Sequence, residues 1–213
     1  MNRIVLLTAM GEEADALRRL GVQVEPTGVG KVAAAMHTQA AIDCYGARGL
    51  VFVGVAGSIN PELRPMDVLV ARDSVQWDVD LSAFGTLRGE LNDGRRFIRS
   101  DETGSRLALE AAVRLGFPAR LGRIATGDTF LADPILARDL HRNFQADAVE
   151  MEGAAAAQVA DSRGVPLVLI RVISDAAGEN AESSFAEFLT KASERAAAVV
   201  QAFLPEWETH LGA

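Results

Sequence analysis

The chain has 213 residues, 49% of them apolar, which suits one α/β domain with a sizeable core and excludes a disordered chain. Its net charge of −8 argues against a nucleic-acid partner or an anionic membrane surface. Cys44 is the only cysteine, so no intrachain disulfide forms and a reducing, cytoplasmic setting fits.

The first residues, MNRIVLLT, read as a buried strand over 3–8, and acidic residues follow too soon for a signal peptide. A helix is expected over 12–20, stopped by Gly21, and then a short strand over 22–24. Residues 26–30 form a loop in which Gly28 and Gly30 allow close backbone approach. The alanine-rich stretch 31–45 is helical and 49–53 is a buried strand running into a small-residue loop, GVAGS, over 54–58. A strand is expected over 67–71, an irregular connection over 76–85 and a polar surface loop over 89–99. Helices are expected over 105–115 and 133–142, the second with Asp133-Pro134 as cap and first turn, with a strand over 120–125 between them.

The stretch 148–178 organises the rest. A short apolar run stops at Glu150 and Glu152, and a small-residue helix follows that Arg163-Gly164 ends. The run Leu167-Val168-Leu169-Ile170, apolar without alternation, suits a strand buried on both faces; it leads to Asp175. A last helix is expected over 183–204, with a Ser cap and an end near Pro205. Strand and helix alternate without internal repeat or linker. This implies one α/β domain over 1–213, with a central, mostly parallel mixed sheet flanked by helices.

In such sheets ligands bind beyond the carboxyl ends of the strands. Glu13, Glu152 and Asp175 are the acids nearest those ends, and Met10, Met151, Phe130 and Phe185 are apolar residues near the same edge. Together they outline a pocket for a flat, partly polar ligand. An acid after a strand also serves as a helix cap, and methionine and phenylalanine also serve as core. The glycine loops match neither a dinucleotide fingerprint nor a P-loop. His37, His141 and His210 lack metal-ligand spacing, so neither a metal nor a cofactor is expected, and no apolar run approaches the roughly 20 residues that span a bilayer.

AMGEE at 9–13, GVGKVAAA at 28–35, DLSAFG at 80–85, TGDTF at 126–130, VEMEGAA at 149–155 and RVISDAAG at 171–178 occur in that order, with Ser184-Phe185 and Glu187-Phe188 after them. This pattern resembles the methylthioadenosine/S-adenosylhomocysteine nucleosidase group of the nucleoside phosphorylase superfamily. The resemblance implies a nucleoside phosphorylase-like fold and hydrolysis of the N-glycosidic bond of a purine nucleoside, releasing adenine. It makes Asp175 the acid that protonates the leaving base and Glu13 the residue that activates water. Glu152 then holds the ribose hydroxyls with Met151 beneath the sugar. Phe130 packs on the purine, and Leu131 reads its edge through the backbone. Val29 and Phe185 line the 5′ end, with Met10 and Ser174 also at the site. Phe84 resembles an aromatic that reaches into a neighbouring subunit's pocket, so the resemblance implies a homodimer. The chain departs from the group in a short segment before GVGK, where a hairpin is trimmed. It also departs at Val55, where the group commonly carries a hydroxyl that supports the catalytic acid.

The chemistry fits these residue types. Breaking the bond builds positive charge on the sugar and negative charge on the base, so an acid beside the base and carboxylates around the ribose each relieve one. A solvent-like Asp has a pKa of about 3.9, so Asp175 needs burial or a shared proton to act as an acid near neutral pH. Three alternatives stand beside this reading: a phosphorylase, with Arg171 as the one plausible phosphate ligand; a futalosine-type nucleosidase; and a nucleoside-binding protein without catalysis.

Overall fold

The computed structural model describes residues 4–177 and 181–212, with side chains throughout except at 181–184. Arg3, Gly178 and the side chains of Ser183 and Ser184, all used above, lie outside the described residues. The strands are β1 (Ile4–Thr8), β2 (Gln23–Pro26), β3 (Gly49–Ser58), β4 (Val68–Gln76), β5 (Ile98–Arg99), β6 (Ala119–Thr126), β7 (Ala148–Glu150) and β8 (Leu167–Asp175). The helices are α1 (Gly11–Arg18), α2 (Lys31–Tyr45), α3 (Glu102–Arg114), α4 (Pro134–Phe144), α5 (Gly153–Ser162) and α6 (Ala181–His210), with a short 3-10 turn at Ser82–Phe84.

The sheet is mixed and mostly parallel, as expected, but it does not stay open. β2, β1, β3 and β8 run parallel in one set, and β4, β6 and β7 run parallel in another. The sets meet antiparallel at β3/β7 and at β4/β8, so that β3, β8, β4, β6 and β7 close into a ring. β1 and β2 extend from the ring along β3, and β5 adds to β4.

Period-two alternation sends each central strand into two cores at once. Ile4 and Leu6 of β1, Val51 and Val53 of β3, and Val168, Ile170 and Val172 of β8 pack against α1, α3 and α6. Val5 and Leu7, Leu50 and Phe52, and Leu169 and Ile173 of the same strands pack against α2 and α5. Burial on both faces is what an apolar run without alternation encodes. α4 covers a third cluster around Val75, Trp77, Leu140 and Phe144. The Asp133 carboxylate caps α4 by accepting from Ile135 N and Leu136 N, as expected. Among the described residues, no helix is long and apolar enough to cross a membrane.

Several boundaries differ. GVAGS over 54–58 is the second half of β3, not a loop, because Gly54, Val55 and Ala56 pair with Arg171, Val172 and Ile173 of β8. β4 continues to Gln76 because β6 pairs with it through that residue. The 89–99 loop ends in β5, where Ile98 is buried. α6 begins at Ala181 rather than Ser183 and runs through Pro205, held on both sides of it by buried Phe203, Leu204 and Trp207. Tertiary packing here outweighs the lost backbone donor.

Candidate active site

The carboxyl ends of β1, β3 and β8 lie side by side, and the acids expected from the sequence project from them or from the turns beyond. Glu13 sits in the first turn of α1, folded back over the end of β1. Its Oε2 accepts from Thr8 Oγ1 (2.6 Å), Met10 N (3.0 Å) and Ala9 N (3.1 Å), and its Oε1 accepts from Val55 N (3.1 Å). Burial pushes its carboxyl pKa up, against these hydrogen bonds and the Arg171 charge, which pull it down. Gly54 is what lets this carboxyl reach β3: a Cβ there would lie 2.9 Å from Glu13 Oε1.

Asp175 closes β8. Between Ala56 and Gly57 the register slips, leaving Ser174 as an extra residue on β8 and pairing Asp175 with Gly57. Such a bulge re-aims the side chains beside it. Asp175 Oδ2 accepts from Ser174 Oγ (2.8 Å) and Oδ1 from Ala177 N (2.8 Å). A Cβ on Gly57 would lie 2.8 Å from Oδ1, so the acid packs where only glycine leaves room. Burial raises its pKa, which is the direction a proton donor near neutral pH requires; the Ser174 and Ala177 bonds oppose it. Val55 brings no hydroxyl to this acid. Ser174 does.

The two glutamates of VEMEGAA do different things. Glu150, at the end of β7, is a buried anchor. It accepts from Arg171 Nη2 (2.6 Å) and Gly153 N (2.8 Å) and, in a short contact, from Thr126 Oγ1, which itself accepts from Ala154 N (2.8 Å). It thus ties β6 and β8 to the amino end of α5, where a carboxylate also meets the helix dipole. Arg171 is 1% exposed, and its Nη1 donates to Phe52 O and Ile170 O (both 3.0 Å). Both terminal nitrogens are therefore engaged within the core, and the arginine does not line the cavity. Glu152 faces the cavity instead and accepts from Gly30 N (2.8 Å). Gly30 adopts φ 99°, a left-handed value that favours glycine; the close approach expected of this loop is to Glu152. Burial and then the neighbouring Glu150 charge push the Glu152 pKa up to about 7.

A cavity of about 310 Å³ lies over these acids. Glu13, Glu152, Asp175, Ser174, Met10, Met151, Val29, Phe130, Leu131 and Phe185 all line it, so every site residue expected from the sequence except Phe84 is brought together. Phe130 and Phe185 meet edge to face, with ring centroids 5.9 Å apart. Phe84 lies away from this cavity in the 3-10 turn and is 84% exposed. Gly57, Val149, Thr129 and Glu150 also line the cavity and were not singled out as site residues. Thr129, Val149 and Gly57 lie within the TGDTF, VEMEGAA and GVAGS stretches, and Glu150 carried a signal of its own: a carboxylate three residues before Gly153 at the start of a small-residue helix.

The raised carboxyls make stability depend on pH with a definite sign. A carboxyl whose folded pKa exceeds its unfolded value contributes stability that is complete below the unfolded value, 4.5 for Glu152, and lost as pH rises through the folded value, about 7. Glu152→Gln removes this dependence. The melting temperature of the variant, relative to the parent protein, is expected to rise by a few degrees between about pH 5 and about pH 8. A difference that stays flat over that range shows that Glu152 is not raised.

A family model described as the phosphorylase superfamily matches residues 20–205. An aminodeoxyfutalosine nucleosidase of Campylobacter jejuni is 44% identical over 161 residues, covering 76% of this chain and 70% of that protein. A 5′-methylthioadenosine/S-adenosylhomocysteine nucleosidase of Treponema pallidum is 40% identical over 199 residues, covering 80% and 72%. A Helicobacter pylori 5′-methylthioadenosine/S-adenosylhomocysteine nucleosidase, solved as a mutant with 5′-methylthioadenosine in the active site, superposes with a TM-score of 0.93 at 34% identity over 97% of this chain and 99% of that one.

Proposed function

The chain belongs to the phosphorylase superfamily, in the group of its purine nucleosidases, and we propose that it hydrolyses the N-glycosidic bond of adenine nucleosides carrying a 5′ substituent, 5′-methylthioadenosine and S-adenosylhomocysteine foremost. The observation that carries the choice of water over phosphate is the cavity itself. Among the described residues it is lined by Glu13, Glu150, Glu152 and Asp175 and by no arginine or lysine, and Arg171 is spent on Glu150 and two carbonyls. Each lining carboxyl that is ionised repels a phosphate charge a few ångströms away by about 4 kcal/mol even at an effective dielectric of about 20, and with Arg171 spent on Glu150 no lining cation offsets it among the described residues, so a phosphate dianion is disfavoured where water is not.

In this reading Asp175 gives its proton to the departing adenine, Glu13 takes one from the attacking water, and Glu152 accepts hydrogen bonds from the ribose hydroxyls above Met151. The raised Asp175 and Glu13 carboxyls support the first two roles, since an acid and a base work best with pKa values near the operating pH. Phe130 and Leu131 flank the base. Val29, Met10 and Phe185 offer an apolar wall to the 5′ substituent. The Ser174 hydroxyl on Asp175 stands against a binding protein disabled at Val55. Purified protein is expected to release adenine and free methylthioribose from methylthioadenosine in phosphate-free buffer. A strict need for phosphate, with a ribose 1-phosphate product, overturns the assignment.

The likeness to aminodeoxyfutalosine nucleosidases favours a second substrate at the same site, and comparing kcat/KM for the two nucleosides decides between them. We read residues 1–213 as one nucleosidase domain, cytoplasmic in keeping with its single cysteine and working as a homodimer. Phe84 at 84% exposure supports the dimer, together with Val32, Met36 and Leu87, which are also left exposed. Sedimentation is expected to show a dimer at micromolar concentration, and a fully active monomer overturns it.

A further inference from the structure

Lys31 is one of only two lysines in the chain, and it stands at the start of α2, next to the Gly30 N–H that Glu152 accepts. Its Nζ donates to Asp78 Oδ1 at 2.7 Å, with the two side chains only 18% and 24% exposed. The other oxygen of Asp78 accepts from Asp128 N at 3.0 Å, and Asp128 Oδ1 accepts from Lys31 N at 2.8 Å. The three residues close a loop of contacts that joins the turn before α2, the connection after β4 and the turn after β6. Gly30 lies inside it: a Cβ there would sit 3.1 Å from Asp128 Oδ1. The joined segments carry Val29 and Phe130 into the cavity wall.

We propose that Lys31, Asp78 and Asp128 form a latch that positions the Gly30 N–H on Glu152, and Val29 and Phe130 around the nucleoside, without touching the reacting atoms. The proposal rests on the nucleosidase reading for its substrate, but the latch itself is a property of the free protein. Consecutive N–H groups are held by different carboxylates, Gly30 N by Glu152 and Lys31 N by Asp128, so Asp128, together with the Ala34 N bond to Gly30 O, fixes the direction in which this turn presents the Gly30 N–H. Besides this N–H, the groups facing Glu152 are Glu150 on β7, Arg171 on β8 and Glu13 on α1. Of these contacts, only the N–H depends on the latch. Releasing it removes a bond that favours the charged carboxylate and leaves the desolvation and the Glu150 repulsion opposed only by the Arg171 charge.

The test uses Lys31→Met, which keeps the aliphatic stem and removes the charge, with Lys31→Arg as the conservative rescue and Asp78→Asn as a second break. Lys31→Met is expected to raise KM for methylthioadenosine by about tenfold, in keeping with the loss of a hydrogen bond to a charged group, while kcat changes little. Lys31→Arg is expected to recover most of the KM. Carboxyl NMR titration of Glu152 in the protein without nucleoside is expected to show an upward shift in Lys31→Met and Asp78→Asn. Unchanged KM together with an unchanged Glu152 titration in both variants overturns the latch. If the parent protein releases no base from any nucleoside, the nucleosidase reading fails, and the titration still decides the latch.

Discussion

Asp175→Asn is expected to lower adenine release by about 10²–10⁴-fold while the fold and the melting temperature stay close to those of the parent protein. The surroundings of Asp175 make this substitution a clean one. Oδ1 accepts from Ala177 N, and an asparagine oxygen in that place keeps the bond. Oδ2 meets the Ser174 hydroxyl, which rotates to accept from an amide as readily as it donates to a carboxylate. Asparagine also leaves the space against Gly57 unchanged, so the loss falls on chemistry rather than on packing. What disappears is the proton. Burial shifts the Asp175 carboxyl upward, the direction that suits a proton donor, against the Ser174 and Ala177 bonds; an amide has no comparable proton to give. A folded Asp175→Asn protein that turns over near the parent rate removes Asp175 from the mechanism.

The acids of the site were legible in the sequence because strand ends are. Apolar runs such as 167–170 mark strands buried on both faces, and the acids that follow them must emerge at one edge of the sheet. The closure of that sheet into a ring was not legible, since it depends on β8 pairing at once with β3 and, antiparallel, with β4, and no local pattern records a partner. The same fact misplaced GVAGS. Its glycines resemble a loop by composition, yet they are strand residues kept small because Glu13 and Asp175 lie against them. Arg171 was misjudged for a related reason. A cation between acids reads as a ligand for anions until its burial and its three acceptors are seen. The split of labour between Glu150 and Glu152, which both line the cavity, follows from backbone direction at the start of α5: one carboxylate is committed to Arg171 and the helix end, the other to Gly30 N.

Glu13→Gln is expected to abolish most hydrolysis, by about 10²–10⁴-fold in kcat, while nucleoside binding stays largely intact. Unlike the change at Asp175, this one disturbs its surroundings. All four partners of the Glu13 carboxylate are donors: Thr8 Oγ1, Ala9 N and Met10 N at one oxygen, and Val55 N at the other. A glutamine amide group must face one of these sets with its own N–H. If it turns toward Val55 N, two donors meet and that partly buried N–H loses its acceptor, at a cost of about 1 kcal/mol or more. The variant is therefore expected to melt lower than the parent even though it binds substrate. Glu13→Asp separates the two effects, because it keeps an acceptor-only carboxylate but draws it back from Val55 by one methylene. If Glu13 is the base, the aspartate variant retains more activity than the glutamine variant at similar substrate affinity. If instead both variants lose affinity in parallel and keep their catalytic rate, Glu13 grips the nucleoside, and the water must be activated by another of the buried carboxylates.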